Sequence, residues 1–499
     1  MSPISKTLTS KIKKTKVILP DNPNYFKWIV YLLMSLTILR LAIAPFTGLD
    51  GGPAYYAMWS THWQLSYFDH PGMTAWLMRI STNLLGWNAF AIKLPAILMY
   101  LAISVMLYRS IKIWGGNNRG AFYAVGLFNF IPWIASSFGI KAGNPDVPFL
   151  LCYICAFYYF SKLYKTGESK NWWWLALWTG LGLLSKYKMV FVYVALFMAM
   201  LIFPKLKKQW KAWQLYVAAA IAFLGMVPAI IWNVQNEFAS FQYHLVQRQS
   251  GFGFRPMQYL DFLGNQILIM GIFAPLLLFK NSFDNRKTEV GKVCLIFAAP
   301  ALVVFSIAAL FFSEPMQNWW ASVYLILLVA YGVQRKFGQY DKFVLAITAL
   351  VSILGTTYYI YPFAVRAKET SSMLDHHLFD KAANHLQEII KRREILGEEV
   401  YVATSRYRIT AMINVYMPEQ KIYSLDYRKG DQFQLWYPPQ ELKGKDIIYV
   451  LGGSKMNDKL ENFIKADAIK LFDKQVYEYN SHFSRTFYFY DVKNFQGIK

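Results

Sequence analysis

Cysteine is scarce in this chain: Cys152, Cys155 and Cys294 are the three among 499 residues, and all fall inside apolar runs. That excludes a disulfide framework and a thiolate metal set. Cys152 and Cys155 have the C-x-x-C spacing, but no second ligand pair lies nearby, so they read as small core hydrophobes. Acidic residues are also few, 29 Asp and Glu against 52 Lys and Arg, for a net charge of +23. A Gly-rich phosphate loop is missing, which argues against a soluble nucleotide as substrate. Neither an internal repeat nor a low-complexity tract is apparent. No cleavable leader is expected, because residues 1–27 are basic and polar and the first apolar run has no small-residue cleavage site.

What is abundant is apolar surface: 55% of the residues are hydrophobic and 18% aromatic. They cluster in runs of about 17–25 residues, the length a helix needs to cross the hydrocarbon core, and these runs mostly lack the polar stripe of a soluble helix. Eleven spans are expected, at 27–47, 89–110, 120–140, 146–165, 171–185, 188–204, 213–233, 259–280, 292–312, 320–334 and 343–362. Basic residues gather in alternate short connections, among them Lys162, Lys165 and Lys170, then Lys205, Lys207, Lys208 and Lys211. That is the positive-inside pattern. It accounts for the charge without nucleic acid, which would need a basic face on a soluble domain. The expected order is a cytoplasmic tail (1–26), a membrane domain (27–362) with outside loops 48–88 and 234–258, and an outside C-terminal domain (363–499).

The first outside loop carries two amphipathic stretches, Ala54 to Leu65 and Met73 to Leu85, suited to lying along the interface. The C-terminal region is charged and alternates helical and strand patterns. Phe379 to Arg393 reads as a helix, whereas Glu399 to Thr404 and Asp446 to Leu451 read as strands of a small α/β domain.

Polar residues recur at the outside ends of the spans. Asp50, Tyr55, Asp69 and His70 lie in the first loop, where Asp, Gly and Pro are also ordinary turn chemistry. Asp146 opens a helix, where a carboxylate can cap backbone N–H groups. Lys186 and Lys188 break the charge rule by lying outside, where snorkelling is the plain explanation and a functional cation the sharper one. His244 and Arg248 are four apart and share a helix face suited to an anion. Gln317 and Asn318 are polar where the aromatic belt alone would place tryptophans. Carboxylates, cations and amides converging on one side of a bilayer suit a lipid-linked phosphate substrate.

Several segments are recognisable together. Tyr67-Phe68-Asp69-His70-Pro71-Gly72-Met73-Thr74-Ala75-Trp76-Leu77 resembles the "YFDHPP…AWL" loop of bacterial family-39/83-type glycosyltransferases, relatives of the protein mannosyltransferases and of the aminoarabinose transferase that modifies lipid A. Asn144-Pro145-Asp146-Val147-Pro148 is similar to that family's "TPDxP", Leu183-Leu184-Ser185-Lys186-Tyr187 to "GLLSKY", and Pro315-Met316-Gln317-Asn318-Trp319-Trp320 to "PxxNWP". Ser405-Arg406-Tyr407-Arg408 and Asp431-Gln432-Phe433-Gln434-Leu435-Trp436 extend the resemblance to the C-terminal region.

The resemblance implies a C-type glycosyltransferase fold (GT-C) in a bacterial inner membrane, with its active site facing the periplasm. The donor would be a sugar on undecaprenyl or another polyprenyl phosphate, and the acceptor a glycolipid, lipid A or lipopolysaccharide first. A protein hydroxyl is the alternative acceptor, and a lipid-linked sugar transporter or flippase the alternative function. Lys186, Arg248 and His70 would hold the phosphate leaving group, with Tyr55, His244, Gln317 and Asn318 lining the substrate site. An acid would orient or deprotonate the acceptor. Relatives carry Asp-Glu before Ala-Tyr-Tyr where this chain has Gly52-Pro53, so Asp50, Asp69 and Asp146 all stand as catalytic candidates. A divalent metal ion is the cofactor the resemblance leaves open, with Asp69 and His244 as its ligands.

Overall fold

The computed structural model describes residues 23–246, 251–312, 315–363, 374, 376–426, 430–452 and 460–499. Among them, six helices are long and apolar enough to cross a membrane: Asn24–Phe46, Ala89–Ile113, Asp146–Thr166, Trp213–Gln235, Glu289–Phe311 and Gln339–Ile360. Three bent helix pairs raise the number to as many as nine. Two further apolar helices, Asn171–Leu183 and Ala321–Gln334, are shorter, at 13 and 14 residues. Every expected span therefore falls on a helix, but not every one on a straight crossing.

The breaks have local causes. Pro132 has no N–H for the helix ladder and its ring crowds the preceding turn; Asn118–Phe130 and Pro132–Ile140 meet there at 60°. The span expected at 259–280 is two helices, Pro256–Ile269 and Phe273–Asp284, at 102°. Gly271 and Ile272 between them have φ of +93° and +51°, which no α-helix accommodates.

Two opposite faces of the bundle can be told apart by what bonds to what. On one, the connections rich in lysine meet: Lys165 and Lys205 both pair with Glu289, Gln209 donates to the Gly167 carbonyl, and Arg119 donates to the Phe337 carbonyl. On the other face lie the first-loop helices Gly51–Thr61 and Met73–Leu85 and, above them, the C-terminal domain.

Among the described residues the C-terminal domain has seven strands: β1 Tyr401–Thr404, β2 Ile422–Ser424, β3 Ile447–Gly452, β4 Ile464–Lys465, β5 Ala468–Asn480, β6 Phe483–Lys493 and β7 Gly497–Ile498. The main sheet runs β2-β1-β3-β6-β5, with β1 parallel to both β2 and β3 and the rest antiparallel. The short strands β4 and β7 pair separately. Strand β3 is buried along nearly its whole length because both of its faces are covered. Tyr449 and Leu451 pack with Tyr488 and Tyr490 on one side. On the other, Ile448 and Val450 join Phe487 and Phe489 in a core that continues through Leu386 and Phe433 to Tyr55, Trp59, Tyr67 and Met78 of the first loop.

One apolar cluster therefore belongs to both the C-terminal domain and the first loop. Close backbone approaches mark the seam. A side chain at Gly48 would meet the His376 carbonyl at 2.5 Å, and one at Gly51 would meet Arg408 Cβ at 2.8 Å. Trp87 Nε1 donates to the Val415 carbonyl at 2.8 Å.

Asp431 is buried at this seam and caps the helix Gln432–Trp436, accepting from Phe433 N and Gln434 N. Burial, opposed by the Ser424 hydroxyl, pushes its carboxyl up to about 7. An unfolded aspartate releases its proton near pH ~4. The folded chain thus binds the extra proton, and stability falls as the pH rises from there to about 7. Asp431→Asn keeps an oxygen for the cap without the ionisation cost. The variant is expected to melt a few degrees higher than the parent at pH 8 and by a clearly smaller margin at pH 5, in thermal unfolding of the detergent-purified chain; an equal shift at both values would count against the ionisation argument.

Candidate active site

The loop Lys141–Pro145 is shaped by backbone constraint. Ala142 and Gly143 have φ of +27° and +110°, and a side chain at Gly143 would meet Met78 Cε at 2.7 Å. Only a bare α-carbon lets this loop settle against the first-loop helices. The turn Leu184–Lys186 locks onto both: Ser185 Oγ donates to the Pro145 carbonyl at 2.7 Å, and Met73 N donates to the Leu184 carbonyl at 3.0 Å. Asp146, Lys186 and the first loop are thereby fixed in one frame.

At the centre of that frame Asp146 is buried and receives three donors. Lys186 Nζ and Lys188 Nζ each reach one of its carboxylate oxygens at 2.8 Å, and Asn318 Nδ2 donates at 2.7 Å. Lys188 also donates to the Asn318 carbonyl at 3.4 Å and lies over the Phe149 ring. Among the described residues two ammoniums meet this one carboxylate. Instead of the helix cap expected of Asp146, the carboxylate holds two lysines and an amide at the start of the helix Asp146–Thr166.

Asp50 sits in a second cluster. It pairs with Lys141, accepts from the Tyr359 hydroxyl at 3.1 Å and lies 3.6 Å from His376 Nδ1. His376 is held well below its ordinary value by burial first, then by His377, Lys141, Lys93 and Arg485, so it stays neutral. Asp50 thus joins the first loop to the last membrane helix and the C-terminal domain. Next to it, the buried Lys93 donates to Thr47 O, Thr47 Oγ1 and Gly48 O at 2.8, 2.6 and 3.1 Å.

Asp69 has different neighbours, mostly tyrosines and histidines. Burial first and the charge of Asp69 second hold the Tyr55 and Tyr56 phenols well above their ordinary value, so both keep their protons. Tyr407 of the C-terminal domain packs against Tyr55 with the rings tilted by 52° and their centroids 4.6 Å apart. The rings of His70 and His244 stack at 5.9 Å, and His244 meets Tyr187 edge-on at 5.6 Å.

His244 Nε2 faces the main-chain carbonyl of Asp69 at 2.6 Å. A carbonyl only accepts, so this nitrogen carries a proton and cannot bind a metal through the same lone pair. Among the described residues no group of three His, Cys, Asp or Glu side chains forms a ligand set.

The structure thus brings Asp146, Lys186 and Asn318 into one cluster and Asp69, His70, His244 and Tyr55 into another on the same face, with Asp50 at the seam with the C-terminal domain. Gln317 is exposed, its carbonyl accepting from Gln266 Nε2 at 3.1 Å, and it does not join the Asp146 cluster. Arg248 lies outside the described residues. Sequence reading noted Lys188 but gave it no role, and it missed Tyr56, Lys141, Lys93 and Gln432. Lys93, a lone cation within an apolar run, was a visible signal.

Residues 69–232 match the family described as dolichyl-phosphate-mannose-protein mannosyltransferase. A curated relative, the lipid A galacturonosyltransferase RgtD of Rhizobium johnstonii, is 22% identical over 361 residues, covering 70% of this chain and 74% of the relative. Among solved structures, ArnT from Cupriavidus metallidurans in the apo state superposes with a TM-score of 0.62 at 12% identity, covering 94% of this chain and 98% of that one. The same protein bound to undecaprenyl phosphate gives a TM-score of 0.62 at 13% identity, with coverage of 93% and 98%.

Removing one partner of a buried ion pair costs about 3–5 kcal/mol, because it leaves a charge uncompensated. Asp146→Ala leaves two lysines in that position and is expected to lower the melting temperature of the purified protein markedly. Lys188→Met leaves the Lys186 and Asn318 contacts in place and is expected to lower it less. Equal melting of Asp146→Ala and the parent would mean that the lysines find solvent without the carboxylate.

Proposed function

We propose that the chain is a membrane glycosyltransferase of the GT-C fold that moves a sugar from a polyprenyl phosphate of the undecaprenyl type to lipid A on the periplasmic side of a bacterial inner membrane. The observation that carries this reading is the Asp146, Lys186, Lys188 and Asn318 cluster, set at the end of a membrane helix beside the Asp69 group. A donor whose phosphate sits at the headgroup level would meet it there. The relatives' names add the rest: lipid A as the acceptor of the galacturonosyltransferase, and undecaprenyl phosphate as the ligand of the second ArnT structure. The lysine-rich face then lies in the cytoplasm by the positive-inside rule, which puts the C-terminal domain outside.

In this reading an acceptor oxygen attacks the anomeric carbon as the bond from that carbon to the phosphate oxygen breaks, with the electron pair leaving on the phosphate. Lys186, Lys188 and Asn318 stabilise that developing charge. Asp146 is the anchor that keeps both ammoniums pointed inward, its oxygens already engaged by three donors. Asp50 is engaged at the seam. Asp69, which lies in the segment that resembles the family's first-loop motif and faces the Tyr55 hydroxyl, is the acid proposed to take the acceptor's proton, with His70 at the phosphate and His244 fixing the backbone of Asp69. An acceptor hydroxyl needs that base, whereas a phosphate oxygen of lipid A, already anionic, needs only orientation.

Mass spectrometry of lipid A from cells with and without the gene tests the proposal. Loss of one sugar-sized mass in the deletion and in an Asp69→Ala strain, with the protein still in the membrane, is the expected result. An unchanged profile in the deletion would sink lipid A as the acceptor, and the other envelope glycans and proteins would be searched next.

A further inference from the structure

The C-terminal domain contributes a side chain to the wall behind Asp69. Asp431 caps the helix Gln432–Trp436, its Oδ1 accepting from Phe433 N at 2.8 Å and Gln434 N at 3.2 Å, while Oδ2 accepts from Ser424 Oγ at 2.8 Å. The cap satisfies the second and third N–H groups of the helix and leaves the first, that of Gln432, for another acceptor. That acceptor is the Tyr55 hydroxyl of the first loop, at 2.7 Å. The Gln432 side chain, completely buried, turns the other way: its Oε1 accepts from Phe68 N at 2.8 Å, and its Nε2 donates to Gln64 Oε1 at 3.3 Å.

Gln432 therefore grips both sides of the residue that matters. Phe68 N is one residue from Asp69, so the bond to Oε1 sets the backbone from which the carboxylate projects. The Tyr55 hydroxyl accepts from the Gln432 amide and so has its own proton to direct elsewhere, and the Asp69 carboxylate is the anion it faces. The opposite side of the same backbone is held by His244 on the Asp69 carbonyl.

Resting on the assignment of Asp69 as the acceptor-side acid, we propose that Gln432 is a positioning residue for the transfer reaction, through which the C-terminal domain holds Asp69 and Tyr55 in register. The domain thus completes the active site rather than only covering it.

The bonds can be removed one at a time. Gln432→Glu keeps an oxygen for Phe68 N and the amide for Tyr55. Gln432→Ala loses the Phe68 bond and keeps the amide. Gln432→Pro loses both, yet proline is tolerated at the first position of a helix, and Asp431 is already extended at φ −142° and ψ 171° as a residue before proline must be.

Two readouts on the purified full-length protein decide the matter. Hydrogen exchange in the peptide spanning Phe68 should speed up about tenfold or more in Gln432→Ala, with β3 and β6 as protected as in the parent. In the transfer assay kcat should fall in the order Glu, Ala, Pro, by about tenfold or more for Ala, with KM for the lipid-linked donor within about twofold of the parent. Unchanged exchange at Phe68 overturns the proposal, as does a loosened loop with full kcat, or an activity loss that merely tracks lost protection of the sheet. Failure of the parent to modify lipid A would refute the acceptor assignment alone, because the exchange experiment does not depend on it.

Discussion

The pairing of Asp146 with Lys186, Lys188 and Asn318 constrains the other parts of the site. Charges taken out of water at the end of a membrane helix are tolerable only when paired and hydrogen-bonded. The pairing ties three segments that are remote in sequence, at 141–146, 184–188 and 317–320, to one point. It works because the turn holding the lysines is itself bonded to Pro145, so the ammoniums arrive with little freedom left to lose. Among the described residues, one carboxylate thus holds two ammoniums.

The second constraint is that this charged site needs a roof. The first-loop helices are too short to form a core of their own, and they share one with the C-terminal domain. This explains why bulky aromatics such as Trp59 and Tyr67 are fully buried in what would otherwise be an interfacial loop. Burying that seam brings polar groups along, and several of them are met. Trp87 finds the Val415 carbonyl, Asp50 finds Lys141 and Tyr359, and Lys93 finds Thr47 and Gly48. The same exclusion of water strengthens every electrostatic interaction beneath it.

What was legible in the sequence was whatever depends on local pattern. The apolar runs gave the helices, with Ala89–Ile113 and Glu289–Phe311 close to the expected bounds. The alternation around Asp446 gave β3, and the period of Phe379 onward gave its helix. Straightness was not legible where a positive φ at Ile272 breaks a run that reads as one span, because hydropathy carries no record of backbone direction. Nor were the partners of the charged residues. Lys186 lies 40 residues from Asp146, Asn318 lies 172 away, and Gln432 lies 364 from Phe68. No spacing rule links such distances, and only the fold brings the residues together. Gln317 shows the converse: it is exposed, whereas its neighbour Asn318 reaches Asp146.

The three carboxylates differ in what surrounds them, and that difference assigns their work. A general base must have a lone pair to offer and must sit where the acceptor can reach it. Asp146 spends its oxygens on two ammoniums and an amide, and Asp50 is bound at the seam between membrane helix and C-terminal domain; a proton moved onto either would undo the pairing that holds the site or the roof together. Asp69 is held through its backbone, by His244 on its own carbonyl and by Gln432 on the preceding peptide, and its carboxylate faces the Tyr55 hydroxyl. At Gly52-Pro53 the chain packs beside Asn144, where a Cβ added at Gly52 would meet the Asn144 side chain at 3.4 Å, an ordinary contact.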